Sequence, residues 1–202
     1  MRFSSCNDSD ARASPRRQNK IPTMKQPRDL EMARIPYSDM TGLSPELVEA
    51  LGKRRNSNVH RMLANCQSSA LGYLRMSDEI RFNAILDPAI RELIVLRVGT
   101  LCNSDYELHY HKLAARGLDM PEDKIQAIID QGSGADLLTP KEKAILTFTE
   151  EVVADGKASA AAFSALAEYM KPDEMIEATI LIGFYIMTSA FLQTFDIQIE
   201  DS

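Results

Sequence analysis

Two of the three histidines, His109 and His111, fall within the stretch NSDYELHYHKLAARG, residues 103–117. Glu107 stands four residues before His111, and on an α-helix that spacing puts the carboxylate and the imidazole on one face. Such a pair suits general acid/base chemistry, because an unperturbed imidazole titrates near neutrality. Ser104 and Ala114 lie on the same stripe, three residues outside the pair, so a hydroxyl is available to bond a substrate or the pair itself. His109 lies about 200° round the helix from Glu107 and points elsewhere. A strand would instead align Glu107, His109 and His111 in the manner of a metal site. The continuation KLAARG argues against it: Ala, Leu, Lys and Arg favour helix, and few β-branched residues are present.

The helix carrying these groups is expected to start at Asn103 or Ser104, with Asp105 and Glu107 in its first turn and Gly117 closing it. Before it, Asp87 caps and Pro88 opens the run DPAIRELIVLRVGTLC, whose apolar residues go most of the way round. That pattern predicts a buried helix over 87–102, folded back on 104–117 as an antiparallel hairpin. Glu92 sits in the middle of the buried helix and needs a partner there or a raised pKa. Arg91 or Arg97 in an oligomer interface is the plainer partner for Glu92; a surface ion pair is the plainer reading of Glu107 and His111.

Start signals recur along the chain. Ser44–Pro45, Ser68 or Ser69, Asp119–Pro121–Glu122, Thr139–Pro140–Glu142, Ser159 and Pro172 each open a helix. A short piece, VHRMLAN, makes His60 a structural residue, and QGSGADL is a loop. No convincing strand and no internal repeat emerge, though the tail DIQIEDS alternates and can be extended. The prediction is an all-α domain of about eight helices over 24–202, after a disordered extension over 1–23.

The apolar share of 45% supports a sizeable core. The net charge is −6, and the first 23 residues carry five basic groups against two acids, so the remainder stands at −9. That balance argues against nucleic-acid binding. The most apolar stretch, Ala178 to Phe195, contains Gly, Thr, Ser and Gln and reads as a buried helix rather than a membrane span. Three scattered cysteines, Cys6, Cys66 and Cys102, read as free thiols in a reducing, cytoplasmic setting.

The run DPAIRELIVLRVGTLCNSDYELHYHKLAARGLDMPEDKIQAI resembles the core of the carboxymuconolactone decarboxylase and AhpD-like alkylhydroperoxidase superfamily. The likeness lies in an Arg-Glu-Leu helix followed by a helix with an acid or cysteine four residues before a histidine. It is tight over about residues 80–130. The peroxidase branch reads C-x-Y-C-x-x-x-H. Its cysteines fall on Ser104 and Glu107, its tyrosine on Tyr106, its histidine on His111 and its relay glutamate on Glu92. Both redox cysteines are thus replaced, while the proton-handling positions remain, and a glutamate at 107 is the decarboxylase-type choice. That branch commonly reads E-x-x-H-H where this chain has E-L-H-Y-H. Many relatives also carry an Asn and an Arg in the last helix where Ile186 and Ala190 stand here. Loss of that arginine points to a larger, less acidic substrate than a carboxylated lactone.

The resemblance implies an AhpD-like fold assembled as a dimer, trimer or hexamer. It also implies cofactor-independent decarboxylation or isomerisation of a small organic acid, lactone or enolisable carbonyl compound. His111 would move the proton, with Glu107 orienting it. Glu92 and Tyr106 would complete the relay, and Ser104, Tyr106 and Tyr185 would meet the substrate. No metal or cofactor is called for, since three metal ligands would be available only if Glu92, Glu107 and His111 all converged. The alternatives are a peroxide reductase using a lone thiol, Cys66 or Cys102, and a non-catalytic scaffold that keeps the fold.

Overall fold

Asp87 accepts from the backbone N–H of Ala89 at 2.8 Å, and with Pro88 behind it starts the helix on which the rest is packed. The computed structural model describes residues 33–200. The expected extension over 1–23 lies outside them. The described residues form nine α-helices and no strand, an all-α fold. In order they are α1 (Pro45–Leu51), α2 (Asn58–Leu63), α3 (Gln67–Asp78), α4 (Pro88–Leu101) and α5 (Asp105–Gly117), followed by α6 (Glu122–Asp130), α7 (Pro140–Asp155), α8 (Ala160–Ala167) and α9 (Pro172–Thr194). α3 begins one or two residues before the expected serines. It runs on into a π-helical turn, Glu79–Asn83.

α4 is the centre. Leu93, Ile94, Val95, Leu96, Val98 and Gly99 are all buried, and α5, α6, α7 and α9 pack round them. A second apolar cluster joins α1, α2 and α3 through Leu47, Leu51, Met62 and Leu74, reaching Tyr106, Leu192 and Ile197. The site opens along the seam between the two clusters.

α4 and α5 form the expected antiparallel hairpin. Gly99 backs onto Glu107 near the turn, and Glu92 meets His111 farther from it. The reversal is made by Asn103, in the left-handed region at φ 54°. The Asn103 N–H donates to Thr100 O at 3.0 Å and the Ser104 N–H to Gly99 O at 2.8 Å, which satisfies the last carbonyls of α4. α5 ends at Gly117, as the sequence suggested, and is closed in the same way. The left-handed residue is Asp119 (φ 58°), whose N–H donates to Arg116 O while that of Met120 reaches Ala115 O. Short polar side chains tolerate this region, so Asn and Asp do here what glycine more often does.

The loop before α7 is held by charge. Arg97 pairs with Glu150 at 2.7 Å and also donates to the carbonyls of Ile128 and Ile129 at the end of α6. Glu150 in turn accepts from the N–H and hydroxyl of Ser133. Arg97 is therefore spent here, not on Glu92.

α9 is long and apolar enough to cross a membrane by length and composition. Here its inner face, including Leu181, Ile182, Phe184 and Tyr185, is core. The residues after it form no strand. They turn at Asp196 and run back across α2 and α5, where Asn58 Nδ2 donates to Gln198 O at 3.0 Å.

Candidate active site

The hairpin sets one imidazole between two acids. His111 Nδ1 lies 2.7 Å from Glu92 Oε2, and its Nε2 lies 3.2 Å from Glu107 Oε2. A neutral ring has only one N–H, so it could donate to one carboxylate and would turn a lone pair toward the other. Only the imidazolium satisfies both. Burial by itself would lower the histidine's pKa. The hydrogen bonds and charges of Glu107 and Glu92 outweigh it and raise the pKa to about 9. The sequence suggested titration near neutrality; Glu107 and Glu92 together move it. Glu107 is 7% exposed, and the ring shares its burial.

The same geometry bears on metal binding. The two carboxylates lie on opposite nitrogens of one ring and do not focus three donors on one point. Among the described residues no group of three or more His, Cys, Asp or Glu side chains is arranged to hold a metal ion.

His111 and Tyr185 form a partition with a cavity on each side. The smaller cavity, about 290 Å³, is bordered by Glu107, Tyr73, Phe184 and Arg81. The larger, about 410 Å³, is bordered by Glu92, with Arg81 and Tyr110 again in its wall. The Tyr185 ring meets His111 edge-on, centroids 4.9 Å apart. Burial first, then the charges of Glu107 and Glu92, push the Tyr185 phenol well above its ordinary pKa, so it remains a donor. Tyr73 and Phe184 continue this aromatic wall, and the Tyr73 hydroxyl bonds Thr188 at 3.2 Å.

The structure brings Glu92, Glu107, His111 and Tyr185 together. Tyr106 contributes its ring to the smaller cavity, but its hydroxyl bonds Glu200 at 3.1 and 3.3 Å and is not part of the proton relay expected of it. Ser104 precedes α5 and is 1% exposed. Its hydroxyl has no partner and it lines neither of these cavities. His109 is exposed and stacks edge-on against Tyr110. Ile186 and Ala190 line neither cavity.

Other lining groups came unannounced. His60, expected to be structural, borders the smaller cavity; burial first, then Arg54 and Arg81, press its pKa down to about 4, so it is neutral. Tyr110 was legible in principle, since it stands four residues after Tyr106 and their rings meet at 4.9 Å. Arg81 reaches both cavities, and Glu200 the hydroxyls of Tyr106 and Tyr110, with no local signal.

Residues 70–151 match the family model of the carboxymuconolactone decarboxylase family. The fold is similar to the alkylhydroperoxidase AhpD core of an uncharacterized peroxidase-related protein from Ralstonia eutropha JMP134. The TM-score is 0.75 at 18% identity, covering 86% of this chain and 95% of that one. Over residues 70–151 the chain is similar to the carboxymuconolactone decarboxylase family, and its fold is AhpD-like. A peroxidase-related protein from Silicibacter sp. TM1040 is similar at TM-score 0.71 and 17% identity, over 88% of this chain and 95% of that one. The debrominase Bmp8 is similar at TM-score 0.65 and 15% identity, over 77% of this chain and 84% of that one. None of the curated proteins matches the sequence.

In this AhpD-like protein the thiols stand apart from the imidazole. Cys66 is exposed just before α3 and Cys102 is half-buried after α4; neither lines either cavity. Hydrogen bonds from Ser69 and Ser68 lower the Cys66 thiol's pKa, whereas burial raises that of Cys102.

Proposed function

We propose that this AhpD-like protein is a cofactor-independent enzyme that moves protons on small enolisable carbonyl compounds, by isomerisation or decarboxylation. The observation that carries the reading is His111 with a carboxylate on each ring nitrogen beside an aromatic-walled cavity. At neutral pH the ring is charged, so it serves as proton donor and as the positive charge facing a developing enolate. In isomerisation Glu107 takes the α-proton, the substrate's electron pair moves onto its carbonyl oxygen, and His111 returns a proton at the new position. In decarboxylation carbon dioxide leaves with its bond pair delocalised into the carbonyl, and His111 protonates the carbon. Glu92 holds the ring through Nδ1; after isomerisation the proton on Glu107 passes to Nε2 and restores the charge, and after decarboxylation water supplies it. The Tyr185 phenol is placed to donate to the enolate oxygen.

The test is solvent exchange. Enolisable lactones and oxo acids are incubated with the protein in deuterium oxide and followed by proton NMR. Deuterium should enter at the α-carbon, and His111→Gln should slow this by about two to four orders of magnitude. Exchange at full rate in that variant, or absent with the whole panel, rejects the reading.

Homo-oligomer assembly is part of the proposal. Ile176, Ile180 and Met187 form an exposed apolar stripe on the outer face of α9, with Phe82 and Ile85 also exposed. A second copy of the chain is the occupant that fits such a face.

A further inference from the structure

Arg81 is the cation at the site with nothing yet to do. It sits on the π-helical turn Glu79–Asn83, a wide turn of the kind that recurs at functional sites. The turn is braced. Arg91 Nη1 donates to the carbonyls of Ile80 at 2.6 Å and Arg81 at 3.0 Å. Just beyond it Glu177 accepts the N–H groups of Ile85 and Leu86 at 3.1 and 2.7 Å. Other arginines nearby are engaged: Arg54 with Asp78 at 2.6 Å, and Arg91 with the turn. Among the described residues the Arg81 guanidinium makes no ion pair and no side-chain hydrogen bond, yet it borders both cavities beside His111.

The charges round the smaller cavity favour an anion. Arg81, Lys53 and the His111 imidazolium face it, and Glu107, already in contact with His111, is the one carboxylate in its wall. The wall is also aromatic, with Tyr73 tilted against Phe184 at 4.9 Å and Phe184 edge-on to Tyr185 at 5.5 Å. A guanidinium takes a carboxylate through two parallel N–H bonds and fixes its plane.

We propose that Arg81 is the substrate anchor, holding the carboxylate of a small planar acid whose body lies against Tyr73, Phe184 and Tyr185 and whose reacting carbon faces His111. This rests on the proton-transfer reading and supplies its substrate class. It departs from the less acidic substrate expected from Ala190, because Arg81 puts a cation at the cavity from the turn after α3.

The test uses benzoate and its neutral analogue benzamide, titrated into the full chain and followed by calorimetry and NMR. Benzoate should bind, benzamide should bind at least tenfold more weakly, and Arg81→Gln should weaken benzoate by about ten- to a hundredfold. Arg81→Lys should recover part of the loss. Arg81 braces nothing through its side chain, so these variants should fold, which circular dichroism checks. No benzoate binding, or equal benzoate affinity in wild type and Arg81→Gln, overturns the proposal. The two readings fail separately. Arg81-dependent binding without solvent exchange removes the catalytic reading alone, and exchange that ignores Arg81 on carboxylated substrates removes the anchor alone.

Discussion

His111 Nδ1 stands 2.7 Å from Glu92 Oε2, a contact spanning nineteen residues that ties α5 to α4 at the middle of the hairpin. It joins a half-buried acid of the central helix to the ring whose other nitrogen faces Glu107. The pairing explains how α4 tolerates a carboxylate among its apolar neighbours, and it sets the charge state of the site.

That charge state has a signature in stability. In the unfolded chain His111 loses its proton near pH 6.5; in the folded protein it keeps it to about pH 9. A raised folded-state value stabilises fully below pH 6.5, and the gain is lost as pH rises through about 9. At ~1.4 kcal/mol per pH unit the effect is on the order of 3 kcal/mol. Urea unfolding at pH 6, 7.5 and 9.5 should show the stability gap between wild type and His111→Gln shrinking as pH rises. A constant gap would mean that the ring is not held as an imidazolium.

Gly132 should tolerate no side chain. It sits at φ 58°, and a Cβ there would lie 2.1 Å from Glu150 Oε1 and 2.4 Å from the Arg97 guanidinium. Both groups belong to the brace between α4, α6 and α7. Gly132→Ala should cost about 1–3 kcal/mol from backbone strain, with the displaced ion pair adding to it. Thermal unfolding measures this, and an unchanged melting temperature would show that the brace can move aside.

The segment after α9 should be held mainly by Glu200. Its carboxylate accepts from the hydroxyls of Tyr106 and Tyr110 and from the N–H of Asn58. Glu200→Ala should destabilise the protein by about 1–2 kcal/mol, discounted for partial exposure. Hydrogen exchange at the Asn58 amide should speed up in step, and unchanged protection there would contradict the latch.

The outer face of α9 makes the assembly testable. Ile180→Glu places a charge in the middle of the exposed stripe, at a residue 46% exposed in the single chain. Light scattering should find an oligomer for wild type and a smaller species for the variant. A monomeric wild type at micromolar concentration contradicts assembly through this face.

Much of the fold was legible because its signals are local. Asp87–Pro88, Thr139–Pro140 and Ser159 mark helix starts by hydrogen bonds made within one turn, and the structure begins α4, α7 and α8 there. The α5 stop at Gly117 was legible too, but not the left-handed turn beyond it, because Asp119 takes the position usually left to glycine. At the site, Glu107 and His111 were legible from their spacing. Glu92 was legible as a buried acid in need of a partner, though not which partner. Tyr106 was misjudged because its hydroxyl answers to Glu200, 94 residues away. Arg81 and His60 reach the cavity through the packing of α2 and α3 against α5 and α9, which no periodicity within either segment records.

The His111–Tyr185 partition between two cavities gives the imidazole a working side and a holding side. Glu107 faces one cavity and Glu92 the other, and the imidazole between them has a nitrogen on each side. In the proposed reaction the proton given up is the one at Nε2, while Nδ1 keeps its own against Glu92. The ring must therefore be recharged on the side it donates from, by the proton Glu107 has taken or by water, and not through Glu92.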